Sequence, residues 1–255
     1  MLAEMAQRTE GYVVRGTKAL ARPVLHAARR VISRGEVGLD QCRCQNEYDE
    51  RQMRLLLSFC LSSSACCIDV GAHCGGFLSE VVRLAPEGQH IAYEPLPSYA
   101  HILRSRFPTV DVRCAALSNT VGDTTFVYVR DDPAYSGLRE RAYPHAVSKE
   151  TIVVHTERLD DDLPDGYAPH LIKIDVEGAE VLVLQGAVKT IRRHAPLLIF
   201  ESGEGARDHY GFTARDVYAL VCDDLGYRIF DLDGHGPYTL ASFEKTDRFN
   251  FVAHR

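Results

Sequence analysis

The string Ile68-Asp69-Val70-Gly71-Ala72-His73-Cys74-Gly75-Gly76-Phe77 holds the residue types that point most directly to chemistry. It follows an apolar run that reads as a buried strand and precedes a stretch of helical periodicity, which is the context a nucleotide-type loop requires. Gly71 permits a tight turn and close backbone approach. Gly75 and Gly76 stand where the loop enters the helix. The GxxxGG spacing lacks the middle glycine of the dinucleotide fingerprint and is less suited to wrapping a pyrophosphate. Asp69 ends the strand with a carboxylate able to hold a cationic amine. Glu94, 25 residues further on in Ala92-Tyr93-Glu94-Pro95, ends a second apolar run, where an acid can accept hydrogen bonds from both ribose hydroxyls. The competing interpretation is a structural turn plus a solvated glutamate. The loop and the spaced acid together favour a nucleoside site with an amino-acid tail and no phosphate, and S-adenosylmethionine has that shape.

A second constellation is acidic. Asp175 falls at the carboxyl end of a core strand, facing the crevice where open α/β sheets bind ligands. Glu177 follows in the loop, and Glu201 ends the next strand. These carboxylates allow three arrangements. Asp175 holds an amino group, or Glu177 or Glu201 acts as general base toward a weakly nucleophilic hydroxyl, or the set binds a divalent cation such as Mg²⁺. The arrangement without metal is favoured, because spacing shows no fourth ligand. Glu180 reads as a first-turn acid that the helix dipole stabilises. Lys173 shares strand parity with Asp175 and can pair with a neighbouring acid. His145, His155 and His170 read as structural. Asp131-Asp132-Pro133-Ala134-Tyr135-Ser136-Gly137 is a polar loop, an ordinary turn or a substrate-contacting lid.

The elements that must position these groups alternate along the chain. Strand candidates are Ala65–Val70, His90–Tyr93, Val110–Ala115, Thr124–Val129, Ile152–Val154, His170–Ile174, Pro196–Phe200, Tyr227–Leu232 and Phe249–Ala253. Helical patterns cover Phe77–Leu84, Ser98–Phe107, a long Ala179–His194, and Thr213–Leu225 with Thr213 as N-cap. Apolar strands alternating with helices predict an α/β fold: a mostly parallel sheet with helices on both faces.

These segments resemble the FkbM family of S-adenosylmethionine-dependent methyltransferases. Ile68–Phe77, Tyr93–Pro97 and Leu171–Glu180 carry the resemblance, above all Ile172-Lys173-Ile174-Asp175-Val176-Glu177-Gly178-Ala179-Glu180. Leu184-Gln185-Gly186-Ala187, Ile199-Phe200-Glu201, Phe249-Asn250-Phe251 and Thr156-Glu157-Arg158-Leu159-Asp160-Asp161 also fit. The resemblance spans about residues 46–255. It implies a Rossmann-like class I fold, with a seven-stranded sheet and one antiparallel strand near its edge, and O-methylation of a small hydroxylated metabolite such as a sugar or polyketide. Position by position it implies that Asp69, Gly71, Ala72, His73, Gly75 and Phe77 form the cofactor loop, that Glu94 is the ribose acid, and that Ser118, after Ala116-Leu117, lies beside the adenine. Asp175 enters both the cofactor and the catalytic set. The family usually has asparagine at the position of His73, so this residue is a cofactor contact or a base.

Composition bounds these expectations. The 255 residues are 45% apolar and 25% charged, ordinary for a globular chain, and no run reaches 18 uncharged apolar residues. The formal charge of −6 argues against a general nucleic-acid binder. Residues 1–45 read as a basic helical extension, with seven basic residues against four acidic ones over residues 1–40. Arg8, Arg15, Arg22 and Arg29 recur every seven residues, a solvated helical face or a weak contact with a membrane surface or an acidic protein. Pro23 interrupts any single long helix there. Without a secretory pattern the expected compartment is the cytoplasm, with the eight cysteines as free thiols. Cys42-Arg-Cys44 is a weak signal, two residues only, for a redox or metal pair. Two other classes fit parts of the pattern: a nicotinamide oxidoreductase, against which the missing glycine counts, and a non-catalytic nucleoside-binding or scaffold module.

Overall fold

The computed structural model describes residues 45–143, 146–203 and 205–255, so the arginine repeat, the Cys42–Cys44 pair and His145 lie outside the described residues. A helix occupies residues 45–60 (α1). The chain divides after Glu50, and the fold below is that of residues 51–255. It runs β1 (Cys67–Val70), α2 (Gly76–Leu84), β2 (Ile91–Tyr93), α3 (Pro97–Arg106), β3 (Asp111–Arg113), β4 (Ala116–Leu117), β5 (Gly122–Val129) and β6 (Lys149–Glu157). There follow α4 (Leu159–Asp162), β7 (Leu171–Ile174), α5 (Glu180–Gly186), α6 (Val188–His194) and β8 (Leu197–Glu201). The chain then forms α7 (Ala214–Tyr218, extended by a π-turn over Ala219–Asp224), β9 (Arg228–Asp231), α8 (Leu240–Phe243) and β10 (Asn250–His254).

Seven strands form one sheet in the order β3-β2-β1-β7-β8-β10-β9. All neighbours pair in parallel except β10, which runs antiparallel to β8 and β9. This is the Rossmann-like class I architecture. The period-2 alternation of side chains sorts the core into two layers. Ile68, Ile172, Ile174, Leu198, Phe200 and Phe251 pack against α5, α6 and α7 through Val181, Leu184, Ile191 and Val217. Their alternates Cys67, Leu171, Ile199 and Val252 face α1 and α2 through Leu57 and Val81. Each such fully buried aliphatic side chain contributes about 1.5–3 kcal/mol of transfer free energy. No helix among the described residues is long and apolar enough to cross a membrane.

Three expectations change. Thr124–Val129 and Ile152–Val154 are parts of longer strands, β5 and β6, which pair antiparallel in a separate three-stranded sheet with β4. The Val110–Ala115 strand ends at Arg113, and Ala116–Leu117 joins that second sheet. The long helix over Ala179–His194 is two helices, because Asp160 of α4 accepts the N–H groups of Lys189 (3.0 Å) and Thr190 (2.8 Å) and so caps α6 as a separate element. Thr213 does cap α7, in a box where Asp216 bonds back to the Thr213 N–H at 2.7 Å.

Candidate active site

The strand order reverses between β1 and β7: from β1 the chain winds outward to β2 and β3, and from β7 it winds the other way. A crevice at the carboxyl ends of the strands is expected at such a switch point. A cleft open to solvent at its mouth lies there. Its polar wall includes Gly71, His73, Glu94, Asp175 and Glu177, and its apolar wall includes Leu96, Ala116, Leu117, Phe126 and Leu138. Pro133, Ala134 and Ser136 of the polar loop also line it, so that segment meets the cleft rather than turning away from it. Ser136 is fixed there by accepting the Val129 N–H at 3.0 Å.

Backbone close to the sheet makes the floor. Gly71 adopts φ +81°, and a Cβ on it would lie 1.9 Å from the Asp175 carbonyl oxygen. The next residues turn on the Tyr93 carbonyl, which accepts the N–H groups of Gly71 and Ala72. His73 is left-handed at φ 46°, with its ring stacked on Tyr99 at 4.6 Å. Its Nε2 is buried in the wall without a hydrogen-bond partner, and burial lowers its pKa. Glu94 is buried, and its two oxygens accept the N–H groups of His73 (2.8 Å) and Leu96 (2.9 Å). Burial pushes its carboxyl up to about 7, against the pull of those two bonds.

The sheet register assembles the acids. Asp69 pairs across from Lys173, and Lys173 across from Ile199, so two positions further on, past Ile174 opposite Phe200, Asp175 and Glu201 come side by side. Lys173 Nζ sits 3.1 Å from Asp175 Oδ2 and 3.6 Å from Asp69 Oδ1. The cation that Asp69 meets is therefore this ammonium. Burial works against the Lys173 charge, but Asp175 and Asp69 outweigh it and hold the amine above its ordinary range. Burial likewise works against the charge of Asp175, and Lys173 prevails, keeping this carboxyl below its ordinary range. Glu201 lies well above its ordinary range, through burial and the charges of Asp175 and Glu177, and shares a hydrogen bond with Asp175. Glu177 is ion-paired with Arg141, whose guanidinium stands 5.3 Å over the Tyr135 ring. Burial and Asp175 push Glu177 up to about 8 even so. Carboxylate oxygens of Asp175, Glu177 and Glu201 lie within 4.8 Å of one another. Two side-chain cations, Lys173 and Arg141, already meet this set.

The other expected contacts fall off the cleft wall. Asp69 is 1% exposed and turned to Lys173. Ala72 packs with Leu78 and Leu103, and Gly75 abuts Phe107 and Leu103. Phe77 lies under Lys173, its ring 5.8 Å from Nζ. The Ser118 carbonyl is pressed against Gly186, where an added Cβ would lie 2.1 Å away. Sequence reasoning missed Arg141 and Tyr99. Arg141 stands 36 residues from Glu177 on an irregular segment, so nothing in local spacing marks it. His155 and His170 are structural: His155 pairs with Asp123 and Glu157, and His170 Nδ1 accepts the Cys66 N–H at 3.0 Å. Glu180 stands in the first turn of α5 as expected, but it is only 3% exposed, and its carboxylate also bonds backbone outside its helix.

These buried carboxyls set a pH slope. Glu94 and Glu180 lie near 7 and Glu177 near 8 in the folded chain, against about 4.5 when unfolded. Between those values the folded state holds protons that the unfolded state has lost, so stability falls as pH rises. His73 and His90, held neutral by burial, favour the opposite slope only below about 6.5. Thermal melts of the ligand-free chain should show a Tm lower at pH 8 than at pH 6.5 by roughly 5–10 °C, for a loss on the order of 2–4 kcal/mol. A flat or rising Tm over that interval contradicts the arrangement.

The sequence model of the FkbM methyltransferase domain matches residues 69–229, well over half of the chain. The chain belongs to the FkbM methyltransferase family. The family match begins at Asp69, within β1, and runs through every residue of the acid cluster. A curated relative, the methyltransferase sdnD of Sordaria araneosa, is 30% identical over an aligned stretch of 160 residues, covering 49% of this chain and 61% of sdnD. The chain thus spans less than two thirds of that relative's length. Among solved structures, methyltransferase FkbM from Methylobacillus flagellatus KT is similar at TM-score 0.49 and 18% identity, over 76% of this chain and 44% of that one. A TehB-like SAM-dependent methyltransferase from Corynebacterium glutamicum is similar at TM-score 0.45 and 11% identity, over 87% of this chain and 97% of that one.

Proposed function

We propose that this FkbM-family chain is an S-adenosylmethionine-dependent methyltransferase that methylates a hydroxyl of a small molecule. The observation that carries the proposal is the set of polar groups on the cleft wall. Glu94 faces it with lone pairs open to a diol, and Asp175 faces it as the carboxylate that Lys173 holds ionised, with Glu177 and Glu201 beside it. Such a wall suits a ligand with ribose hydroxyls and a free amine. The buried orphan Nε2 of His73 and the side-chain-free approach over Gly71 also fit a ligand seated there.

When bound, S-adenosylmethionine supplies a methyl group already activated for displacement. What remains for the protein is alignment and proton removal. Glu94 offers its remaining lone pairs to a diol. His73 offers Nε2. Asp175, held ionised by Lys173 and with 42% of its side chain exposed, presents the negative charge to the cleft. Asp175, Glu177 and Glu201 are close enough to titrate as a unit, and that unit accepts the proton of the attacking hydroxyl.

Isothermal titration with S-adenosylmethionine tests this reading. Binding is expected, NAD should not bind, and Glu94→Ala should lower the affinity by about 10- to 100-fold, the worth of one or two lost hydrogen bonds to its carboxyl oxygens. A folded chain that does not bind S-adenosylmethionine refutes the proposal, and unchanged affinity in Glu94→Ala removes that residue from the role. Mass spectrometry of products from a panel of hydroxylated metabolites then identifies the acceptor.

A further inference from the structure

The loop that leaves β7 presents Asp175 and Glu177 to the cleft in a conformation that its own sequence does not favour. Glu177 is left-handed at φ 57° and Gly178 follows at φ 102°. A non-glycine residue in that region costs on the order of 1 kcal/mol or more and persists only where its surroundings over-determine it. The surroundings are tight on both sides. A Cβ on Gly178 would lie 2.4 Å from the Ala206 carbonyl oxygen, and the Asp175 carbonyl abuts Gly71.

One side chain brackets the strained residue. Glu180 Oε1 accepts the N–H of Val176 and the N–H of Gly178, both at 3.1 Å. These are the two amides flanking Glu177. Glu180 is 3% exposed and does not line the cleft, so it is available neither to a cofactor nor to an acceptor. A buried carboxylate is an expensive way to satisfy two amides, and a solvated cap on α5 would cost less. The expense is explained if the carboxylate fixes the loop rather than the helix.

We propose that Glu180 is a positioning residue: its carboxylate clamps the Val176 and Gly178 amides and so holds Asp175 and Glu177 in the arrangement that takes the acceptor's proton. The catalytic part of this inference rests on the methyltransferase reading, and the clamp itself does not.

Two variants of the full chain test it. In Glu180→Gln the amide carbonyl can still accept both N–H groups, whereas in Glu180→Ala nothing replaces it. Hydrogen exchange at the Val176 and Gly178 amides should rise at least about tenfold in Glu180→Ala and stay within about threefold of wild type in Glu180→Gln, with β7 amides unchanged in both. With an acceptor from the product screen, kcat should fall about 100-fold in Glu180→Ala, with the KM for S-adenosylmethionine within about threefold and substantial recovery in Glu180→Gln, as expected when reacting groups are misplaced by about an ångström. The proposal is overturned if exchange rises uniformly through β7 and α5, if kcat and cofactor affinity fall together, or if Gln recovers nothing. If wild type transfers no methyl group, the functional reading fails while the exchange measurement still decides the clamp.

Discussion

Gly71→Ala is expected to abolish S-adenosylmethionine binding and to lower Tm by roughly 8 °C, a loss of about 3 kcal/mol for a chain of this size. Two effects coincide at this position. The backbone at φ +81° penalises any Cβ, and that Cβ would lie 1.9 Å from the Asp175 carbonyl oxygen. Relaxation is blocked because the segment is tied on both flanks. The Gly71 N–H bonds the Tyr93 carbonyl at 3.0 Å, and the Asp175 N–H bonds the Val70 carbonyl at 3.0 Å. The strain must therefore move either the glycine loop or Asp175, and both belong to the proposed site. Gly76→Ala, five residues later, is the control. A Cβ there meets nothing within 4 Å, and the residue opens α2, so a neutral or slightly stabilising change is expected. Circular-dichroism melts and cofactor titration of both variants check the contrast, and equal behaviour of the two would refute it.

The same pair shows how far sequence reasoning reaches. Both glycines sit in one string of a legible strand–loop–helix pattern, but only the structure shows that one is pressed against β7 and the other is open. β1, β2, β7 and β8 were readable because buried parallel strands are continuous apolar runs. The acids at their carboxyl ends were readable as candidates because those ends face the crevice. Their grouping was not, since it depends on register: Asp175 meets Glu201 only because Ile174 aligns with Phe200. The break at Ala187 was equally hidden. The apolar periodicity of 179–194 continues through it, and the carboxylate that caps α6 comes from Asp160, 29 residues away. Arg141 is invisible for the same reason. Glu180 illustrates a subtler limit: its place in the first turn of a helix was apparent, but its burial and its two backbone partners were not.

Lys173→Met should be the most pH-sensitive change in the chain. Lys173 lies between the Asp69 and Asp175 carboxylates, and Asp69 has no hydrogen bond to either oxygen, so this ammonium at 3.6 Å is its charge partner among the described residues. Removing one partner of a buried pair costs about 3–5 kcal/mol, because the charge left behind is uncompensated. Without Lys173 both acids shift upward and fold with a proton that the unfolded chain gives up above about pH 4. By linkage the deficit relative to wild type should then widen as pH rises, small near pH 4 and largest near pH 8. Pairing Lys173→Met with Asp69→Asn removes both charges and should recover part of the loss, with a coupling of about 1–3 kcal/mol in the double-mutant cycle. Urea unfolding of the four proteins at pH 5 and pH 8 measures both quantities. A deficit independent of pH, or a double variant no more stable than Lys173→Met alone, would show that Lys173 contributes packing over Phe77 rather than the charge that keeps Asp175 ionised in the cleft.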